Sequence, residues 1–106
     1  MFLEYINFDG VNMVMWINPH EIVSIGPDIA VKKTEDGQLI SYTIWMYINF
    51  KSQHTSRFEL FTNTIESQYY LDLESTNKTI QDLMNSTRLS HHTPYQTFTI
   101  NSMKES

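Results

Sequence analysis

From Leu39 to Phe50 the even positions Ile40, Tyr42, Ile44, Met46, Ile48 and Phe50 are all apolar, while the odd ones carry Ser41, Thr43, Trp45, Tyr47 and Asn49. Side chains of a strand alternate between two faces, so a strict period of two predicts a long, half-buried strand here. Lys51 to Ser56 then turns the chain, and Arg57 to Thr62 returns with an alternation of its own, which predicts a hairpin. An earlier hairpin is predicted from Phe2–Phe8 and Val11–Ile17, separated at Asp9-Gly10 and closed by Asn18-Pro19. Between the two hairpins, Glu21–Ile25 reads as a short β-run stopped by Gly26-Pro27-Asp28. Ile29–Val31 follows as another short run, leading into a polar loop from Lys32 to Gln38 that contains a second Asp-Gly.

The second half of the chain is less regular. Tyr69–Leu73 fits either a strand or the body of a helix begun near Asn63. A helix is predicted from Ser75 or Thr76 as N-cap, with Ile80, Leu83, Met84 and Leu89 on one face. A polar segment with His91, His92 and Pro94 precedes Tyr95–Ile100, which alternates weakly and is expected either as an edge strand or as a tail ordered by a partner. The fold class expected is mainly β (α+β): a curved antiparallel sheet or small barrel of about six or seven strands with one C-terminal helix near 75–89. Residues 1–90 are expected as a single compact β domain and 91–106 as a polar tail or edge strand.

Composition narrows the class. With 106 residues, 41% hydrophobic, there is material for one core, and a radius of gyration of about 13 Å is expected. The absence of cysteine removes disulfides, thiolate metal sites and a cysteine nucleophile. Seven Lys and Arg against twelve Asp and Glu give a net charge of −5, with no basic footprint able to replace counterions on duplex DNA. The acids are too scattered for a DNA mimic. Met1–Tyr5 has no basic region of the kind that opens a signal peptide, and the apolar runs fall far short of the roughly 20 residues that cross a membrane. The expected location is therefore cytoplasmic, or in a virion, and the sequons at Asn77 and Asn85 read as chance matches. A single alanine, Ala30, beside eleven isoleucines and eight asparagines is the usage of an AT-rich coding sequence, pointing to a bacteriophage or low-GC bacterial source.

Catalytic constellations are sparse. The histidines at 20, 54, 91 and 92 lack the helical i,i+4 spacing that puts two imidazoles on one ion, so no metal is expected. No serine lies in a strand-turn-helix elbow. Glu35 and Asp36 sit in a solvated loop where both ionise, and Gly10, Gly26 and Gly37 form no phosphate-binding motif. An enzyme is not expected, nor a cofactor. If the even positions of the long strand face the core, Thr43, Trp45 and Tyr47 face outward. A neighbouring strand could add Trp16 with Val14, and Phe61 falls on the odd side with Arg57 and Glu59. Trp and Tyr are favoured interface anchors, so Trp16, Thr43, Trp45, Tyr47 and Phe61 form the candidate interaction face. The competing expectation is that the helix packs over it. Met13, Met15 and Met46 are expected to fill core gaps.

At Asn18-Pro19-His20-Glu21-Ile22-Val23-Ser24-Ile25, preceded by Phe8-Asp9-Gly10 and Trp16-Ile17, the chain resembles the small β-modules of the flagellar FlbD/SwrD family over about residues 4–66. The resemblance implies a compact, non-catalytic module used for protein association. The expected function is accordingly binding of a host or virion protein, or self-association as a homo-oligomer, since a long exposed strand needs cover. The alternative is a nucleotide or single-stranded nucleic-acid binder that stacks bases on the aromatic face, with Lys51 and Arg57 supplying charge.

Overall fold

A computed structural model describes residues 1–90 and 95–104, so His91, His92 and Pro94 lie outside the described residues. The protein is mainly β with one C-terminal helix. Strands β1 (Phe2–Ile6) and β2 (Asn12–Trp16) form the first hairpin, with Gly10 at φ 81° in the turn. The Asn7 side chain accepts from the Asp9 and Val11 amides there. A single 3-10 turn at Pro19–Glu21 leads into β3 (Ile22–Lys33), which pairs with β4 (Leu39–Phe50), and β5 (Thr55–Asn63) follows. Another 3-10 turn precedes the helix α1 (Tyr69–Leu89), and β6 (Thr97–Asn101) and β7 (Met103–Lys104) close the chain.

The strands fall into a three-stranded sheet in the order β2-β1-β6 and a four-stranded sheet in the order β3-β4-β5-β7. They do not close into a barrel among the described residues. Nor is the pairing wholly antiparallel: β6 runs parallel to β1 and β7 parallel to β5. The cause is α1, which carries the chain back along β5 so that β7 re-enters in the same direction, as a helical crossover requires. Only Ser102 separates β6 from β7, and its amide donates to Ile6 O at 2.8 Å. The chain thus passes from the small sheet to the large one across the single residue Ser102.

Several expectations are corrected. Gly26-Pro27 does not stop β3, because β3 is an edge strand and a proline there can turn its missing N–H away from the ladder. The helix starts at Tyr69, well before Ser75, so Tyr69–Leu73 takes the helical one of its two expected forms. Its buried stripe is Asp72, Thr76, Ile80 and Leu83, and two polar residues in that stripe hide the helical period. Met84 and Leu89 are exposed. The radius of gyration is 15.0 Å, and the molecule measures 51 × 27 × 20 Å, because the β3–β4 hairpin extends past the core. Ile40 and Val31 near its tip are consequently exposed.

The core is built on the even positions of β4. Met46 and Ile48 are buried with Phe58 and Leu60 of β5, Leu3 of β1, Ile100 of β6, and Ile80 and Leu83 of α1, together with Met1 and Ile17. Each such side chain withdrawn from water contributes about 1.5–3 kcal/mol. Met46 and Met15 fill this core as expected, whereas Met13 is exposed. Two hydroxyls bind the layers. The Tyr42 hydroxyl, on the core side of β4, donates to buried Asp72 of α1 at 2.5 Å, and Tyr69 meets the Tyr42 ring edge-on at 5.2 Å. The Tyr5 hydroxyl donates to Glu59 O at 2.7 Å, tying β1 to β5.

Removing the Tyr42 hydroxyl leaves a buried carboxylate short of its nearest donor, so Tyr42→Phe is expected to lower stability by about 1–3 kcal/mol in urea denaturation. Tyr42→Phe with wild-type stability would show that Asp72 is satisfied without it. Burial pushes the Tyr5 phenol above its ordinary value. A raised acid favours the neutral, folded form, so its contribution is complete below about pH 10 and is lost as pH rises through the higher folded value. Alkaline melting curves should show this loss in the wild type and less of it in Tyr5→Phe.

Candidate functional site

Because β4 lies between β3 and β5, its odd positions form a central row on the outer face of the four-stranded sheet. The helix packs on the opposite, even face through the Tyr42–Asp72 bond. Thr43, Trp45 and Tyr47 are therefore left uncovered by α1, yet all three are only half exposed. Their cover comes from neighbours on the same face. The Arg57 guanidinium lies 4.4 Å from the centre of the Trp45 ring and also pairs with Asp28 on β3 at 3.2 Å. Tyr47 lies across the backbone of Gly26, where a Cβ would stand 2.6 Å from its hydroxyl. Gly26 is thus the gap into which the ring fits, an aromatic covering a strand glycine. Thr62 donates to Glu59 Oε1 at 2.8 Å, with Thr43 Oγ1 at 3.3 Å from Thr62 Oγ1.

Two residues expected on this face are elsewhere. The β4–β5 ladder pairs Ile44 with Phe61 but Trp45 with Glu59, leaving Leu60 as an extra residue in a bulge. The bulge reverses the parity of the strand, so Phe61 sits opposite Ile44 and packs against the core instead of joining Arg57 and Glu59. Trp16 belongs to the other sheet. Lys51 is in the turn after β4, its amide bonded to Glu21 O, while Arg57 is engaged by Trp45 and Asp28. Of the two cations expected beside the aromatic face, Arg57 is therefore already engaged within the chain.

The outer face of the three-stranded sheet is the more apolar one. Trp16 is 53% exposed, Val14 58% and Tyr95 80%. Phe2 sits opposite Trp16 in the ladder, with the rings 4.8 Å apart edge to face, and Tyr95 lies 6.4 Å from Trp16. Phe2 and Tyr95 were not among the expected site residues. The first hairpin sets Phe2 opposite Trp16, whereas Tyr95 reaches it only through the parallel return of the chain beside β1, which no local pattern announces.

Among the described residues no three His, Cys, Asp or Glu side chains gather as a metal site. His54 Nε2 is 3.4 Å from Ser56 Oγ in an exposed turn, and the His54 ring stacks on Phe50. An open cleft of about 300 Å³ lies between the hairpin tip and the start of α1, lined by Val31, Lys33, Leu39, Glu66, Tyr69 and Tyr70. No described helix is long and apolar enough to cross a membrane. Comparison with protein-family models, curated proteins and solved structures finds no match.

The Arg57 cap is directly testable. In a Trp16→Phe background, where Trp45 is the sole indole, Arg57→Ala is expected to increase iodide quenching of its fluorescence. The accompanying loss of stability should stay within about 1 kcal/mol, because the ion pair is half exposed and a cation over an exposed ring is worth little more. Unchanged quenching would mean that the guanidinium does not shield the ring.

Proposed function

We propose that this chain is a non-catalytic association module that first engages a second copy of itself, through the small sheet and not through the Trp45 face. The observation that carries the reading is the set Trp16, Val14 and Tyr95, each more than half exposed and grouped on one side of a three-stranded sheet. Aromatic side chains left in water beside a sheet edge lose little entropy when buried and contribute large area, which is why they anchor interfaces. Trp45 and Tyr47, by contrast, already have intramolecular cover in Arg57 and the Gly26 backbone. A host or virion protein is the other partner this surface would suit.

Size-exclusion chromatography with light scattering tests the reading across a concentration series. The wild type should show a mass above that of one chain, rising with concentration; Trp16→Ser should return it to a single chain, and Trp45→Ala should leave it unchanged. A wild type of single-chain mass throughout would end the self-association reading, and dissociation by Trp45→Ala alone would move the interface to the other sheet.

A further inference from the structure

Two of the sheet edges, those of β3 and β2, are built differently. The free edge of β3 carries Pro27, Asp28, Lys32 and Lys33, the devices that keep a sheet edge from pairing with another chain. The free edge of β2 carries none: Val11 to Ile17 contains neither a charge nor a proline. Its backbone polarity is fixed by the first hairpin. Ile17 N donates to Met1 O at 2.8 Å, Met1 N to Ile17 O at 3.2 Å, and Asn7 N to Val11 O at 3.2 Å. Antiparallel ladders alternate bonded and non-bonded pairs, so Met15 and Met13 bond to β1, while Asn12, Val14 and Trp16 direct their N–H and C=O groups away from it. Among the described residues no backbone group takes them up.

Building on the association reading above, we infer that β2 pairs antiparallel with β2 of a second copy about a two-fold axis at Val14, joining two three-stranded sheets into one. The register follows from the outward groups. Only alignment of Val14 with the partner's Val14 sets every outward residue against another outward residue, Asn12 lying against the partner's Trp16 and Trp16 against the partner's Asn12. A shift of two residues either way strands one of them. Side chains agree with this register: Val14 meets its own mate, and exposed Met13 meets the partner's Met15 on the inner side. The nearest acids across the axis are the two copies of Glu4, each one strand further in. Three strand spacings put them roughly 14 Å apart, beyond the Debye length of physiological salt. A contact of one short strand per copy is small, so the dimer is reversible and concentration-dependent.

The chain has no cysteine, so Val14→Cys supplies a single thiol. A bonded antiparallel pair holds its Cα atoms about 5.5 Å apart, within the span of a disulfide. Under mild oxidation Val14→Cys should form covalent dimers several-fold faster than Val23→Cys, an equally exposed position on the β3 edge. Val14→Lys, which sets two ammonium groups face to face, should give a single-chain mass by light scattering with unchanged far-UV circular dichroism, while the uncharged Val14→Thr should still associate. A wild type that associates, combined with slow cross-linking at position 14 and a Val14→Lys variant that still associates, overturns the β2 pairing and leaves the association reading standing. A wild type that is a single chain at every concentration overturns both.

Discussion

β4 is hydrogen-bonded along both of its edges, and that constraint organises the rest of the molecule. A strand held on both sides can send its side chains only up or down, so twelve residues of alternating character create one apolar floor and one mixed outer face. The floor is too long for a single cover. Towards the hairpin tip it is met by the start of α1, where Tyr42 and Asp72 join, and further along by the small sheet through Leu3, Tyr5 and Ile100. The connection at Ser102 ties the two covers together, since it takes the chain from the small sheet to the side of β5 in a single step.

Where the fold rests on alternation and turn residues, it is legible in the sequence. The first hairpin, the span of β4, the polar tip and the turn into β5 all follow from period two and from Asp-Gly or polar runs. Where it rests on contacts between distant residues, it is not. Asp72 and Thr76 look like solvent positions until Tyr42 supplies a partner, and so the helix reads as starting too late. Phe61 looks like a face-mate of Arg57 until the bulge at Leu60 is seen. The candidate surface divides in the same way. Trp45, Tyr47 and Thr43 share a face as strand parity requires, whereas Trp16 is taken to another sheet by topology. The uncharged stretch around it was readable, but its position at an open edge was not.

The two aromatic groups also differ in how they meet water. Around Trp45, a guanidinium and a carboxylate form a polar lid with few uncommitted groups, and such a surface gains little by being buried further. Around Trp16, the neighbours are Phe2, Val14 and Tyr95, whose apolar surface meets water. Counting tryptophans would rank the two sites equally; asking what each indole already touches separates them.

The parallel pairing of β1 with β6 sets Phe2 beside Thr97, so the small sheet is completed only by closing a loop of nearly the whole chain. Loops of that length are slow to close, and folds dominated by such contacts reach the native state late. Until that loop closes, β1 has only β2 as a partner, and the edge that β6 takes stays open. The time for which that edge can take a wrong partner is thus set by how far along the chain β6 lies from β1.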